Sequence, residues 1–372
     1  MSDKDSAFLA LDAFVNNFAT THTKEESHKF LDLVFMLGRT FVNGSELEGD
    51  IYLVLDNSVI QDFKHASNNR TREVRAWAYR AFSKFVSEWC SRTTRLGLTP
   101  AAVFEHIGRR LPSSEGQTRD SLAEIQALLS VTSLPITPIG FSTVSDLHSS
   151  LRDVEADESY LTELLTEIDA EDWNTDLACE LGGVRIPLSV AAEALPESMP
   201  LKYFDYFSVC FVISGRIEQH IAMQTESTAE TPVIRGGPLP ELFSKVNKYR
   251  RRSRSYSGFG DIDIFQTCDL SRQFQHQQHD GRGDHVLIGM TSDKGLNEVL
   301  QQRTAYVLGA ELTFDGQNND AQIKNFTDVL TGKGFAEFHR RGEATHNEFR
   351  EFFTRLLDIL SEVDNSNGFQ TA

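Results

Sequence analysis

The sequence predicts an α/β fold built on a central parallel sheet, and three observations carry that prediction. The first is the apolar run Ile51-Tyr-Leu-Val-Leu55, which closes on Asp56, Asn57 and Ser58 before turning apolar again at Val59 and Ile60. The second is His285-Val-Leu-Ile-Gly-Met290, which closes on Thr291, Ser292, Asp293 and Lys294. The third is the helical spacing of apolar residues in the segments that surround these runs. A parallel strand is covered on both faces and therefore reads as continuous apolar sequence. Open α/β sheets gather their chemistry at the carboxy ends of such strands. Two strand-end aspartates far apart in sequence are thus expected on one rim.

The elements follow in order. Residues 5–43 read as helices, with Phe8, Leu11, Phe14, Val15 and Phe18 at helical spacing, followed by Phe30, Leu33, Val34 and Leu37. Gly44 and Ser45 end that stretch, and the strand at 51–55 follows. A long helix is expected over about 70–91, presenting Val74, Trp77, Ala78, Ala81, Phe82, Phe85 and Trp89 on a broad face. Leu96-Gly-Leu98 reads as a short strand. Thr99-Pro100 then opens a helix well, with threonine as N-cap and proline at the first helical position. Glu105 sits inside that helix. Another amphipathic helix is expected at about 119–130. Leu134 to Gly140, with two prolines, reads as a short extended segment and a third strand.

Residues 142–230 read as mostly helical and acidic. Asp153, Glu155, Asp157 and Glu158, and then Asp169, Glu171 and Asp172, read there as solvated faces. Tyr203 to Ile213 reads as a core helix or strand. Gly258 to Asp263 then opens a helix-like segment reaching about 278, and a polar turn precedes the second buried strand. A helix at 296–308, an edge strand at Ala310–Phe314 and an amphipathic helix at 346–362 complete the chain.

Composition limits the function classes. At 372 residues with 40% hydrophobic content, the chain suffices for one enlarged α/β unit with helical additions. A formal charge of −18 argues against a surface coated in cations for wrapping nucleic acid, although it leaves room for a local basic groove. The four cysteines, Cys90, Cys179, Cys210 and Cys268, form no C-x-x-C pair and read as small buried apolar residues in a reducing compartment. The amino terminus is acidic where a signal peptide needs cations, and no apolar run approaches the ~20 residues that span a bilayer. A cytoplasmic protein without membrane association is expected. Glycine-rich phosphate loops and serine-hydrolase elbows are absent from the sequence, and His276, His279, His339 and His346 lie in polar sequence without zinc-like spacing.

The acids carry the functional expectation. Asp56, Glu105, Asp261 or Asp263, and Asp293 supply oxygen ligands from strand ends, a helix interior and a helix start, the donor type that Mg²⁺ or Mn²⁺ prefers. Such a group would activate water and neutralise charge on a phosphate during in-line displacement. A basic stretch with flanking tyrosines, Lys245, Lys248, Arg250, Arg251, Arg252 and Arg254, would supply phosphate contacts and stacking.

In Leu53-Val-Leu-Asp56-Asn57-Ser58, Thr99-Pro100 to Glu105, Gly260-Asp261 and Thr291-Ser292-Asp293, the chain resembles the PIN-domain nucleases over about 48–140 and 255–312. The resemblance implies a three-layer α/β/α fold and metal-dependent cleavage of phosphodiesters, RNA ahead of DNA. It implies Asp56, Glu105, Asp261 and Asp293 as catalytic metal ligands, with Asp263 and Asp269 competing for the third place. Asn57, Ser58 and Thr291 would support them. A toxin-like or phage-defence role follows by family association. The implied organisation is a helical segment at 1–47, PIN-like halves at 48–141 and 248–315, a helical acidic insertion at 142–247 and a helical segment at 316–372. An inhibitory or complex-forming protein is an expected partner. The alternatives are a catalytically inactive PIN-like scaffold that binds RNA or a protein partner, and a metal-dependent phosphatase.

Overall fold

The computed structural model describes residues 3–170, 199–206, 208–209, 249–250, 255–256, 258–270, 272–273, 276–277, 285–307 and 335–368. Its strands are β1 (Asp50–Leu55), β2 (Thr94–Leu98), β3 (Ile136–Pro138), β4 (Tyr249–Arg250), β5 (Ser255–Tyr256) and β6 (His285–Met290). Four of them form one sheet in the order β3-β2-β1-β6, every neighbouring pair parallel. The short strands β4 and β5 pair antiparallel with each other.

The helices are α1 (Asp3–Thr21), α2 (Lys24–Gly44), α3 (Asn57–His65), α4 (Arg70–Lys84), α5 (Pro100–His106), α6 (Glu115–Leu129) and α7 (Val144–Ala170). After them come α8 (Phe259–Cys268), α9 (Lys294–Val307) and α10 (Phe335–Gly368). Helices cover both faces of the sheet, so the architecture is a three-layer α/β/α sandwich with further helical segments.

The two-residue period of a strand divides the core. Ile51, Leu53 and Leu55 of β1 share one face with Val286, Ile288 and Met290 of β6, packed with buried residues of α1, α2, α4 and α10. Val54 turns to the other face, into a smaller core with Ile264, Phe265 and Cys268 of α8 and Leu296, Val299 and Leu300 of α9. Helix α2 begins on a capping box in which Thr23 and Glu26 satisfy each other's backbone N–H groups, the Thr23 N–H reaching Glu26 Oε2 at 2.7 Å. Pro138 lies on the edge strand β3, where its missing N–H is tolerated.

Several sequence expectations are modified. The helix expected over 70–91 is α4 followed by a π-helical turn at Phe85–Trp89. Helix α3, which starts directly at the end of β1, was not separately anticipated. Asp157 and Glu158 are not solvated: both are buried, and Asp157 accepts the backbone N–H groups of Lys202, Tyr203 and Phe204 at 2.7–3.0 Å. The edge strand expected at 310–314, Cys179 and Cys210 lie outside the described residues. Cys90 and Cys268 are unpaired thiols; burial pushes Cys90 up to about 12 and Cys268 well up, so both remain protonated. No helix among the described residues is long and apolar enough to cross a membrane.

Candidate functional site

The carboxy rim of the sheet collects most of the acids singled out in the sequence. Strands β1 and β6 run side by side with Leu55 opposite Met290, so the residues that follow them, Asp56 and Thr291, emerge together. The Asp56 N–H donates to the Met290 carbonyl at 3.1 Å, which carries the pairing one step beyond the strand. The Thr291 hydroxyl donates to Asp56 Oδ2 at 2.7 Å and accepts the Asp293 backbone N–H at 3.0 Å. The expectation that two distant strand-end aspartates share one rim therefore holds.

Their chemistry differs from the expectation. Asp56 is the N-cap of α3, its Oδ1 accepting the Ser58 N–H at 3.3 Å while the Ser58 hydroxyl donates to Oδ2 at 2.5 Å. Asp293 caps α9, its Oδ1 accepting the Leu296 N–H at 3.1 Å. Both acids thus satisfy orphan backbone donors at helix starts. Asn57 accepts from the Gln61 amide at 3.3 Å within the first turns of α3.

Asp263, on α8, is 1% exposed and is held on both oxygens. The Thr99 hydroxyl donates to Oδ2 at 2.6 Å and the Tyr203 hydroxyl donates to Oδ1 at 2.7 Å. Thr99 also caps α5, accepting the Ala102 N–H at 3.3 Å, so a single hydroxyl joins a helix start to a buried acid. Asp261 lies in the first turn of α8, partly exposed, and Asp269 is buried just past that helix's end.

Glu105 extends from α5 toward the start of α8. A Cβ at Gly260 would stand 2.6 Å from Glu105 Oε2, so a larger residue there would push the carboxylate off α8. Arg109, four residues after Glu105 and past the end of α5 with a positive φ of 57°, donates to its Oε1, and its other amine lies 3.6 Å from Glu158 on α7. The Arg109 guanidinium also lies 5.9 Å from the centroid of the Phe259 ring. Asp261 adds its negative charge to the same guanidinium. An arginine supplied by the chain thus stands as the cation among Glu105, Glu158 and Asp261.

The electrostatics match this geometry. Burial raises the Asp56 carboxyl, with hydrogen bonds from Ser58 and Thr291 opposing and the Glu105 charge adding to the rise. Burial pushes Asp263 up to about 6 against the hydrogen bonds from Thr99 and Tyr203. Burial drives Glu158 up to about 8, so it holds its proton at neutral pH despite Arg109. Burial works against the Arg109 charge as well, but the charge and hydrogen bond of Glu105, with Asp261 adding to them, offset it and the guanidinium stays charged.

A further buried acid joins the rim from α3. Asp62, one turn beyond Ser58 on α3, is 2% exposed; the Tyr79 hydroxyl donates to it at 3.2 Å and the Ser292 hydroxyl at 3.4 Å. Arg75 lies 3.7 Å from the same carboxylate. The Ser292 hydroxyl also lies 3.5 Å from that of Ser58, which links the Asp62 group to Asp56. The legible signal was the i,i+4 spacing Ser58–Asp62 on α3. Tyr203 and Glu158 reach the rim through tertiary packing and left no local signal.

The metal-centre expectation is overturned. Among the described residues, no three His, Cys, Asp or Glu side chains are grouped so as to hold a metal ion. The physical reason lies in the donors. A metal ligand must be ionised with lone pairs free toward a shared point, whereas here hydroxyls, helix N–H groups and an arginine engage oxygens of Asp56, Asp263, Asp293 and Glu105. The readings of Asp56, Glu105, Asp261, Asp263 and Asp293 as Mg²⁺ or Mn²⁺ ligands, and of the chain as a metal-dependent nuclease, ribonuclease toxin or antiviral effector, are corrected accordingly. The metal-dependent phosphatase falls with the same donors. Of the basic stretch, Arg250 lies in β4, while Lys245, Lys248, Arg251, Arg252 and Arg254 lie outside the described residues.

No protein-family model matches this chain, nor does any curated protein or any solved structure.

Proposed function

We propose that this chain is a catalytically inactive, PIN-like scaffold whose role is to bind a macromolecular partner, protein ahead of RNA. The observation that carries the reading is the internal satisfaction of the rim. Asp56 accepts from Ser58 and Thr291, Asp263 accepts from Thr99 and Tyr203, Asp293 caps α9, and Glu105 is neutralised by Arg109. Groups committed in this way serve as structure. They hold α3, α5, α8 and α9 at fixed positions on the sheet and leave no carboxylate set poised for chemistry. The formal charge of −18 supports a protein partner over the phosphate backbone of RNA.

The test is a cleavage assay on labelled single-stranded RNA, tRNA and DNA with Mg²⁺ or Mn²⁺ present, comparing the wild type with an Asp56→Asn, Asp293→Asn double variant. The expected result is no turnover by either protein. Metal-dependent cleavage by the wild type that the double variant lacks would overturn the proposal.

A further inference from the structure

A trough of about 540 Å³ runs between α2 and α4 and ends at the start of α9. Its floor is aliphatic, made by Leu33 and Met36 of α2 and Val74 of α4. Phe35 stands at its edge, 50% exposed, with its ring centroid 5.4 Å from that of Phe353 on α10. Leu357, one turn further along α10, is 42% exposed and extends the apolar surface beyond the trough.

Charge sets this trough apart from the rest of the molecule. Lys29, Arg39, Arg70, Arg75 and Lys294 line it, against the acids Glu26, Asp32 and Glu298. The surplus is positive in a chain whose formal charge is −18. Arg70 is tied to Glu26 and Glu73, Lys29 to Glu25, and Arg75 faces Asp62. Arg39 and Lys294 are both exposed and form no ion pair among the described residues. Two cations without counter-ions among the described residues thus stand at the lip of an aliphatic floor.

We infer that this trough is the docking site for an acidic amphipathic helix of a protein partner. The inference rests on the scaffold reading above and names its partner surface. Lys29 to Arg39 spans roughly 15 Å of helix axis at 1.5 Å per residue, room for about three turns of an occupant. The occupant's apolar stripe lies on Leu33, Met36 and Val74, where the flexible thioether of Met36 adapts to varied side chains. Its acids meet Arg39 and Lys294. Single-stranded RNA fits less well, because stacking needs an aromatic face per base and Phe35 is the one aromatic residue lining the trough among the described residues.

Fluorescence anisotropy tests this with a labelled synthetic peptide of about four helical turns, carrying leucines at every third or fourth position and glutamates elsewhere. The full-length protein is expected to bind it with a micromolar dissociation constant. An Arg39→Glu, Lys294→Glu double variant, folded by circular dichroism, is expected to bind at least tenfold more weakly. A matching peptide with lysines in place of the glutamates should restore binding to that variant. Absent binding to the wild type, or equal affinity in wild type and variant, overturns the proposal. So does an RNA oligonucleotide that displaces the peptide and is itself weakened by the same reversals. Peptide binding by a protein that also cleaves RNA would sink the scaffold reading and leave the trough standing. Loss of peptide binding in an inactive protein would do the reverse.

Discussion

The carboxy rim of the sheet and the α2–α4 trough are both rich in charge, yet they use it in opposite ways. At the rim, Asp56, Asp263 and Glu158 are buried and meet their partners inside the chain. Along the trough, Arg39 and Lys294 stand in water beside apolar side chains. A buried charge is costly unless it is matched internally, and once matched it is unavailable to anything else. An exposed cation beside an apolar surface costs little to maintain and gains when a complementary surface arrives. The contrast teaches that density of acidic residues in a sequence does not locate a reactive centre. What matters is which acids keep free lone pairs once the fold has made its claims.

The strongest way to break the comparison is to remove the rim's internal cation. Arg109→Met strands the Glu105 carboxylate beside Glu158 and Asp261, and a loss of about 3–5 kcal/mol in urea-unfolding free energy is expected. Arg109→Lys should recover part of that, because it restores the charge without the planar fork. A change below 1 kcal/mol would mean that the rim does not depend on internal pairing.

The next effect is smaller and tests the hydroxyls. Thr291→Val takes a donor from Asp56 and an acceptor from the Asp293 N–H, and should cost about 1–3 kcal/mol by the same measurement.

The pH dependence sharpens the electrostatic half. Glu158 is raised from 4.5 to about 8 in the folded chain, so between those values the folded state holds a proton that unfolding releases. Stability from this group is therefore greatest at and below about pH 4.5, falls as pH rises to about 8 and is flat beyond. The limiting slope is about 1.4 kcal/mol per pH unit. Asp263 adds a like contribution between 3.8 and about 6. Glu158→Gln should flatten the decline between pH 6 and 8; an unchanged slope would show that another group carries it.

The smallest effect belongs to the trough. Lys294→Ala lies on the exposed surface and should shift unfolding free energy by less than about 0.5 kcal/mol. A larger loss would place Lys294 among the internally committed charges and erase the distinction drawn here.

The sheet was legible because β1 and β6 are largely buried on both faces. Ile51–Leu55 and Val286–Met290 are too apolar and β-branched for any exposed element, and the parallel order brought Asp56 and Asp293 to one rim as expected. Helix α3 was harder to see, since its short sequence follows β1 without a turn and Asp56 serves as the cap that starts it. The chemistry of the rim was not legible. An acid at a strand end reads the same whether it binds a cation or accepts a threonine hydroxyl. Arg109 stands four residues after Glu105 but past the end of α5, so its contacts with Glu105 and Glu158 depend on that turn and on the packing of α5 against α7. Asp157 and Glu158 misled in the other direction. They sit in an acidic run that resembles a wetted face, and only the backbone of Lys202–Phe204 and the Arg109 guanidinium reveal why they are inside.

The bond from Thr291 to Asp56 joins residues 235 positions apart in the chain. Parallel strands so distant must find each other late, after much of the molecule has collapsed, and several offsets would bury similar apolar surface. A slip by one residue would reverse every side chain of β6 and take the Thr291 hydroxyl away from this carboxylate. The pair therefore works as an alignment pin: a mispaired edge lacks the contact that locks it, and the chain retains an incentive to let go and try again.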